Sequence, residues 1–344
     1  MKFSPVVQYL RALAATMVLC YHVILHWVPL LRPNYLFLSA GVDIFFVISG
    51  FVMWSLAAGR EGGGADFFAR RFRRIAPLYW LMTSLMLLII LIHPDAALTS
   101  RFDWRHVALS YAFIPAIHPV KATFEPLVFP GWTLNYEMMF YLVFAFALCG
   151  PMRLRPLLVL GPLGALMAAG LIPHANTSLL AFYSSSLLLE FGMGCVIGML
   201  VSEGHADRAP SWLGAALIGF SLLSLGLALL WPRAPRGLTW GAPAALFVGG
   251  WIVNERVNGT PKAPLLQLLG DASYSIYLSQ VIVLSALFQL VHRFAHGPAA
   301  MIVAGVAMTA GGVLAGVGVY WFIERPILRW LRTPAPVAIV AAAQ

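Results

Sequence analysis

Apolar runs of about 20 residues recur along the whole chain and are separated by short polar segments. Each run is long enough for a helix to cross a hydrocarbon layer roughly 30 Å thick. The pattern therefore predicts an all-α polytopic membrane helical bundle with about ten transmembrane helices. The predicted spans are 6–29, 36–58, 76–93, 131–149, 157–172, 179–201, 212–231, 238–254, 270–291 and 299–322.

Composition agrees with this class of protein. Of the 344 residues, 60% are hydrophobic and 10% are charged, and the mean hydropathy is +0.83, which is outside the range of a soluble globular domain. The net charge of +9 comes from cations spread over many short loops, so no nucleic-acid partner is expected. Cys20, Cys149 and Cys195 lie in predicted spans without metal-ligand spacing, so we expect packing roles and neither disulfides nor a metal site.

The first apolar run is predicted to remain in the protein as helix one. Arg11 interrupts it and no small-residue cleavage site follows, which excludes a cleavable signal peptide. Ten spans place both termini on one side, and Lys and Arg are enriched in cytoplasmic loops of membrane proteins. If the termini are cytoplasmic, 14 of the 22 Lys and Arg lie inside, seven lie outside, and Arg11 lies in a span. We therefore predict cytoplasmic termini.

A single transmembrane domain over residues 1–332 is predicted, because the sequence has no internal repeat and no long Ser/Gly linker. The long connection 94–130 falls on the periplasmic side by the parity of the spans, where it is a candidate cover for a site. The segment 333–344 is predicted to be a disordered cytoplasmic tail.

The segment "FFARRFRRIAPLYW" (67–80) concentrates four arginines in a chain that is otherwise poor in charge. In a helix, Arg70, Arg73 and Arg74 share one face and Arg71 flanks it. We predict a short amphipathic helix that lies on the cytoplasmic membrane face and leads into helix three. One interpretation is contact with anionic lipid headgroups. The other is a clamp for a polyphosphate, which Arg binds through its planar bidentate fork.

Ionisable residues inside spans are costly in a bilayer and indicate a cavity or a partner. Arg11 and His22 share one face of helix one and lie roughly 16 Å apart along its axis. His22 either makes a structural hydrogen bond to another helix or takes and returns a proton, since imidazole titrates near neutral pH. Asp43 in helix two requires a cation or donor, and helix one is its predicted source. Ser49 and Gly50 beside it are predicted to form a helix-packing seam.

Two further polar stripes are predicted to face the interior. Thr133, Glu137 and Tyr141 recur every fourth residue in helix four, where Glu137 is either a structural partner of another helix or part of a reaction chamber. Tyr277 and Gln280 belong to a similar stripe in helix nine, which serves either as hydrogen-bonding glue or as a sugar-binding edge. With the arginine clamp, these stripes indicate a membrane enzyme that handles an anionic, nucleotide-bearing donor.

Five motifs occur along the chain: R-x10-H (Arg11 and His22), "GVDIFFVISGF", "FFARRFRRIAPLYW", "GWTLNYEMMFY" and "LGDASYSIYL". Together they resemble those of the acyltransferase-3 family of bacterial inner-membrane acyltransferases, in family order over residues 8–326. The fourth motif is most similar to members that O-acetylate exopolysaccharide, of the kind active in rhizobial succinoglycan production.

The resemblance implies transfer of an acetyl or other short acyl group from cytoplasmic acetyl-CoA or another acyl-CoA. The acceptor would be a hydroxyl of an exopolysaccharide, another cell-surface glycan or its lipid-linked precursor. Implied partners are membrane lipid, this glycan and exopolysaccharide assembly machinery, in the bacterial inner membrane and without a metal. The family's arginine motif falls on Arg70, Arg71 and Arg74, which would hold the CoA phosphates.

The resemblance also assigns catalytic roles. The family's essential histidine falls on His22, which would act as general base on the acceptor hydroxyl or carry the acyl group itself. Its helix-one arginine falls on Arg11, which would position the CoA arm or stabilise charge at the thioester oxygen. Asp43 is expected to orient the imidazole. The expected substrate-binding or supporting residues are Glu137, Thr133, Tyr141 and Tyr277.

Two positions depart from the family pattern. Ala12 stands where many relatives have glycine, and Gln280 stands where they have histidine, so no proton role is expected at position 280. We expect no esterase-like domain after the tenth helix, so a second transfer to a distant acceptor would need a separate protein.

Three other functions stay open on the sequence alone. They are a transporter or flippase for lipid-linked glycans, a non-catalytic subunit of glycan assembly, and an enzyme with another donor. Transporter folds often contain repeated halves or paired broken helices, and neither pattern is visible in the sequence.

Overall fold

The computed structural model describes residues 4–28, 31, 35–59, 62–92, 102–173, 175, 178–231, 234–293 and 296–331, and the predicted tail 333–344 lies outside them. The helices in chain order are α1 (Pro5–Trp27), α2 (Ala40–Ala57), α3 (Gly64–Ile92), α4 (Trp104–Tyr111), α5 (Gly131–Cys149), α6 (Arg155–Ala169), α7 (Leu179–Tyr183), α8 (Leu187–Ser202), α9 (Leu213–Ala228), α10 (Ala242–Asn258), α11 (Pro264–Asp271), α12 (Ser273–Val291), α13 (Pro298–Val319) and α14 (Arg325–Trp330).

Within the described ranges, eight helical segments are long and apolar enough to cross a membrane. This confirms the all-α polytopic membrane bundle. Each of the ten predicted spans coincides with helix. The two spans that are not among these eight segments are α9, with 16 residues, and α10, with 17. A π-helical turn, Gly237–Gly241, directly precedes α10 and lengthens it.

The arginine segment is part of α3, which is one continuous helix of 29 residues with Pro77 inside it. The prediction of a separate amphipathic helix is therefore wrong. The bundle holds this segment in place, because Phe67 is buried and stacks on Phe144 of α5 with ring centroids 5.8 Å apart. Membrane helices tolerate an internal proline where neighbouring groups satisfy the freed backbone.

Helices α2 and α8 cross with their backbones in contact. A Cβ atom on Gly50 would lie 2.1 Å from the carbonyl oxygen of Phe191, and one on Gly194 would lie 2.0 Å from that of Val47. Only glycine fits at either position, as in other small-residue crossings between membrane helices. This confirms the packing seam predicted at Gly50.

Helix α5 carries Phe140 and Phe144 on a different face from its polar stripe. Phe140 stacks on Phe191 of α8 with centroids 3.8 Å apart, and Phe144 meets the same ring edge-on at 6.1 Å. These contacts fix the rotation of α5. Its polar stripe consequently faces α2 and α12, where Glu137 and Thr133 find hydrogen-bonding partners.

The described part of the predicted 94–130 connection contains α4 and a loop of residues 112–130 that is tied to it. The Asp103 side chain caps α4 by accepting from the backbone N–H of His106 at 2.7 Å. The imidazole of His106 donates from Nε2 to the carbonyl oxygen of Glu125 at 2.8 Å. The loop then enters α5 through Pro130.

Candidate active site

A cavity of about 150 Å³, lined by both apolar and polar side chains, lies inside the bundle among α1, α2, α3, α5 and α12. Ionisable groups inside membrane helices usually mark such a functional cavity. Seven of the ten predicted site residues line it. We call three of them, Arg11, Arg71 and Arg74, the cavity arginines. The other polar lining residues are Ser49, Thr133, Glu137, Tyr141, Ser273, Tyr274 and Tyr277.

The arginine segment divides between the cavity and the surface. Arg71 and Arg74 line the cavity, whereas Arg70 and Arg73 are exposed and Arg70 lines a neighbouring surface pocket. The face predicted from the sequence, Arg70 with Arg73 and Arg74, is therefore wrong. Burial of Phe67 sets the rotation of α3, and residues four and seven positions later share its inward face.

Arg74 is held by a buried acid that the sequence analysis did not single out. Its Nη1 donates to Oε1 of Glu324, which ends a π-helical turn, Tyr320–Glu324. Ser275 of α12 donates to the other oxygen of Glu324. The guanidinium carbon of Arg74 also lies 5.4 Å from the centroid of the Tyr274 ring, within range of a cation–π contact. Arg74 thus presents a positioned guanidinium to the cavity.

Glu137 provides the carboxyl group on the α5 wall of the cavity. Its Oε1 accepts from the hydroxyl of Tyr141 at 2.5 Å and from that of Ser49 at 3.5 Å. All three cavity arginines lie within electrostatic reach of this carboxyl group. Their charges outnumber those of Glu137 and Glu324, so the cavity suits an anionic ligand.

Two hydroxyl groups that line the cavity bond to the same turn. Thr133 Oγ1 and Tyr277 Oη lie 3.0 Å apart, and they lie 3.0 and 3.2 Å from the carbonyl oxygen of Pro130. The preceding residue, Phe129, meets the ring of His22 edge-on with centroids 5.8 Å apart. The turn Phe129–Pro130 therefore contacts both His22 and two lining residues, whereas His22 is not itself one of the cavity's lining residues.

His22 is held in one tautomer by its own helix. Its Nδ1 lies 2.8 Å from the carbonyl oxygen of Val18, so Nδ1 donates and Nε2 keeps its lone pair. The rings of Tyr21, His26 and Phe129 surround it with centroid distances of 5.3, 6.4 and 5.8 Å. An imidazole in this state accepts a proton from a hydroxyl that reaches Nε2.

Asp43 has a different partner from the one predicted. Its Oδ2 accepts from Nη2 of Arg236 at 2.5 Å, and the Asp43 side chain is fully buried. The carboxyl group of Glu190 on α8, also fully buried, lies within electrostatic reach of Asp43. The group that orients the imidazole of His22 is the Val18 carbonyl, because it lies one helical turn away and already accepts from Nδ1.

Sequence reasoning missed several residues that hold this site together. Glu190 and Glu324 are lone carboxyl groups in apolar segments, which is the signal that had pointed to Glu137. In the sequence, Arg236 is only one of the seven Lys and Arg predicted to lie outside. For Phe129 the sequence carries no signal, because its role depends on where the loop meets α1.

A polytopic bundle with an arginine-lined interior and a histidine beyond it defines a membrane enzyme that handles an anionic ligand. The chain belongs to the acyltransferase-3 family, since the family model for an acyltransferase domain matches residues 6–321. The resemblance drawn from the five motifs is therefore confirmed, and the chain is an acyltransferase.

Individual relatives agree with this family. The chain is 37% identical to the exopolysaccharide production protein ExoZ of Rhizobium meliloti over 85% of its own length and 90% of that protein. It is 24% identical to the acyltransferase MdmB of Streptomyces mycarofaciens over 87% of the chain and 83% of the relative. It is 27% identical to a putative peptidoglycan O-acetyltransferase, YrhL, of Bacillus subtilis over 95% of the chain and 55% of the relative. No solved structure matches the chain significantly.

Proposed function

We propose that this chain is an O-acyltransferase of the bacterial inner membrane that takes an acetyl or other short acyl group from acyl-CoA. The acceptor is a hydroxyl of an exopolysaccharide, another cell-surface glycan or its lipid-linked precursor, and the exopolysaccharide assembly machinery is a partner. The observation that carries this proposal is the convergence of the three cavity arginines on one cavity, two of whose lining residues bond to the turn that contacts His22. Relatives named for exopolysaccharide production and peptidoglycan O-acetylation support the glycan acceptor.

The cavity arginines bind the acyl donor. Guanidinium groups pair with phosphate and carbonyl oxygens through directed N–H donors. A cavity of about 150 Å³ is smaller than the roughly 300–1,000 Å³ pockets that enclose drug-sized ligands. It therefore takes the acyl-pantetheine arm, while the nucleotide stays nearer the surface, within reach of Arg70 as well as Arg71 and Arg74.

Distance separates the roles of Arg11 and His22. They belong to one uninterrupted helix, α1, so eleven residues of rise place them roughly 16 Å apart along its axis. Arg11 therefore positions the donor arm and does not contact a thioester that lies beside His22. The hydroxyl groups of Thr133 and Tyr277 line the cavity and bond to the turn that contacts His22, and in the proposed reaction they serve as donors to the thioester oxygen.

His22 transfers the proton in the proposed reaction. Its Nε2 takes the proton of the acceptor hydroxyl while the hydroxyl oxygen attacks the carbonyl carbon of the thioester. The carbon–sulfur bond breaks, an ester forms, and His22 returns the proton to the thiolate of CoA. The hydrogen bond from Nδ1 to Val18 keeps the ring in the required tautomer throughout.

The experiment uses purified protein in lipid nanodiscs with radiolabelled acetyl-CoA and a crude lipid-linked glycan fraction. We expect His22→Ala to lower kcat about 10²- to 10⁴-fold, because it removes the general base, while acetyl-CoA still binds. An Arg71→Ala/Arg74→Ala variant should raise the KM for acetyl-CoA at least about tenfold, because charge-assisted hydrogen bonds to phosphate are lost. Arg73→Ala, on the exposed side of α3, is the matched control and should stay within about threefold of wild type.

Failure of the wild type to bind or consume acetyl-CoA or longer acyl-CoA donors would overturn the proposal and favour a flippase or an assembly subunit. A single-turnover reaction without acceptor, followed by mass spectrometry of the peptide that contains His22, separates the two roles of this histidine. A stable mass increase of one acyl group would show that His22 carries the acyl group and is not only a general base.

A further inference from the structure

An aromatic platform lies directly beside His22, outside the donor cavity. Tyr21 stacks on Tyr35 with ring centroids 5.1 Å apart and planes 25° apart, and it meets the His22 ring edge-on at 5.3 Å. Tyr35 precedes the turn that opens α2, so the platform joins the end of α1 to the start of α2. Both tyrosines are half-buried. Half-exposed tyrosine rings combine an apolar face with a hydroxyl group, which are the two features that a sugar ring needs from a binding surface.

A positioned cation lies next to the segment that carries Tyr35. Nη2 of Arg236 donates to the carbonyl oxygen of Ser39, four residues after Tyr35, at 3.5 Å and to Oδ2 of Asp43 at 2.5 Å. Arg236 is also within electrostatic reach of Tyr21. The Arg236 side chain is 37% exposed, whereas Asp43 is 0% exposed. Ser39 and Asp43 thus hold Nη2 in place while the side chain stays partly open to the surface. A guanidinium held in this way binds a phosphate or carboxylate with little loss of side-chain entropy.

Lys121, a second cation near His22 in the described part of the chain, is already engaged. It lies 5.7 Å from the centroid of Phe129, but its Nζ donates to Glu125 at 2.8 Å. The platform side is therefore the better place for an anionic group.

We infer that Tyr21, Tyr35 and Arg236 form the acceptor subsite, and that the acceptor is a sugar that carries or adjoins an anionic group. The inference rests on the proposed function, because it places the acceptor hydroxyl at Nε2 of His22. The sugar ring lies on the Tyr21–Tyr35 platform and its anionic group pairs with Arg236. That group is either a carboxylate on the sugar or the diphosphate of a lipid carrier, since both present the same paired oxygens to a guanidinium.

The test compares three acceptors in nanodiscs with a fixed supply of acetyl-CoA: cellobiose, cellobiouronic acid and cellobiose linked to prenyl diphosphate. Tyr21→Ala should raise the KM for all three acceptors about tenfold, because it removes the platform, and Tyr21→Phe should stay within about threefold. The KM for acetyl-CoA should not change in either variant, since the platform lies outside the donor cavity.

Arg236 is tested with a second pair of variants. Arg236→Gln should raise the KM of a charged acceptor about tenfold or more and leave that of cellobiose unchanged. An Asp43→Asn/Arg236→Gln variant removes both charges of the buried pair, so it should keep the fold and show the same selectivity. A loss confined to cellobiouronic acid identifies a sugar carboxylate, and a loss confined to the prenyl diphosphate acceptor identifies the lipid carrier.

The outcomes separate this inference from the proposed function. If the wild type transfers acetyl groups but Tyr21→Ala and the double variant leave every acceptor KM unchanged, the subsite is overturned and the acyltransferase stands. An equal loss for neutral and charged acceptors overturns the anionic requirement. Consumption of acetyl-CoA with no transfer to any of the three acceptors overturns the acceptor class. If the wild type does not consume acetyl-CoA, the proposed function is overturned, and the subsite is overturned with it.

Discussion

Two buried carboxyl groups, those of Asp43 and Glu324, pair with arginines that are far away in sequence. Arg74 pairs with Glu324 across 250 positions, and Arg236 pairs with Asp43 across 193. The apolar interior favours each pair, because a lone charge there costs far more free energy than a paired one. Sequence reasoning identifies such residues as unusual, but it does not identify their partners.

The Asp43 cluster leads to a prediction about protonation. Two buried carboxyl groups that lie close together carry two negative charges only at a high cost, and Arg236 pairs directly with Asp43. Glu190 should therefore be the protonated partner.

Glu190→Gln keeps the size of the side chain and a hydrogen-bond donor, so we expect it to change the free energy of unfolding by less than about 1 kcal/mol, whereas Asp43→Ala should cost roughly 2 kcal/mol or more. Denaturation in detergent at neutral pH measures both variants. Equal destabilisation by Glu190→Gln and Asp43→Ala would show that both carboxyl groups are charged.

At the scale of elements, packing decides which face of each helix points inward. Helix α3 is rotated by the burial of Phe67 against α5, which carries Arg71 and Arg74 into the cavity and leaves Arg70 and Arg73 exposed. A helical wheel gives only the relative positions of these residues. The wheel therefore placed Arg74 with Arg70 and Arg73, whereas packing places it with Arg71 in the cavity.

The crossing of α2 and α8 predicts a strong effect of a single methyl group. Gly50→Ala places Cβ 2.1 Å from the carbonyl oxygen of Phe191, so the two helices must move apart. We expect a loss of about 1–3 kcal/mol in the free energy of unfolding, as for other overpacked sites. Gly219→Ala on α9 is the matched control, because its Cβ would meet no atom within 4 Å. Thermal unfolding in detergent compares them, and equal melting temperatures would contradict the close crossing.

The loop 112–130 is predicted to loosen in acid. Burial, aided by His106 and Lys121, lowers the pKa of His118, whose Nδ1 accepts from the backbone N–H groups of Val120 and Lys121 at 3.2 and 3.3 Å. We call the loop closed when the two hydrogen bonds to His118 are made and open when they are broken. Above the ordinary histidine pKa of about 6.5, the imidazole is neutral in both states. As the pH falls through that value the open loop takes up the proton more readily, so the closed loop is progressively destabilised.

Hydrogen exchange of this loop at pH 5 and pH 7, corrected for intrinsic rates, measures the effect. Protection should be lower at pH 5 in the wild type. A His118→Gln variant removes the titrating group and should remove most of the difference. Equal protection of the wild type at both pH values would contradict the role of His118.

At the scale of the whole molecule, the predicted orientation places both termini in the cytoplasm. This orientation also matters for the donor, because acyl-CoA is a cytoplasmic compound and α3 carries Arg71 and Arg74 in its N-terminal half. We expect a green fluorescent protein fused after Gln344 to fluoresce and alkaline phosphatase fused at that position to be inactive. Phosphatase fused after Thr123, in the loop before α5, should be active. The opposite pattern would place the arginines outside and contradict the use of cytoplasmic acyl-CoA.

Much of the architecture is determined by the sequence alone. Lipid forces backbone polar groups into helices, so the length of each apolar run sets where a helix lies, and a lone ionisable residue in such a run marks the interior. Seven of the ten predicted site residues, including Glu137 and Tyr277, accordingly line the cavity. Only the tertiary structure decided that Asp43 belongs with Arg236 and that the turn Phe129–Pro130 contacts both His22 and the cavity residue Tyr277. The reason is physical: periodicity gives positions around one helix, whereas partners depend on the rotation and crossing of two.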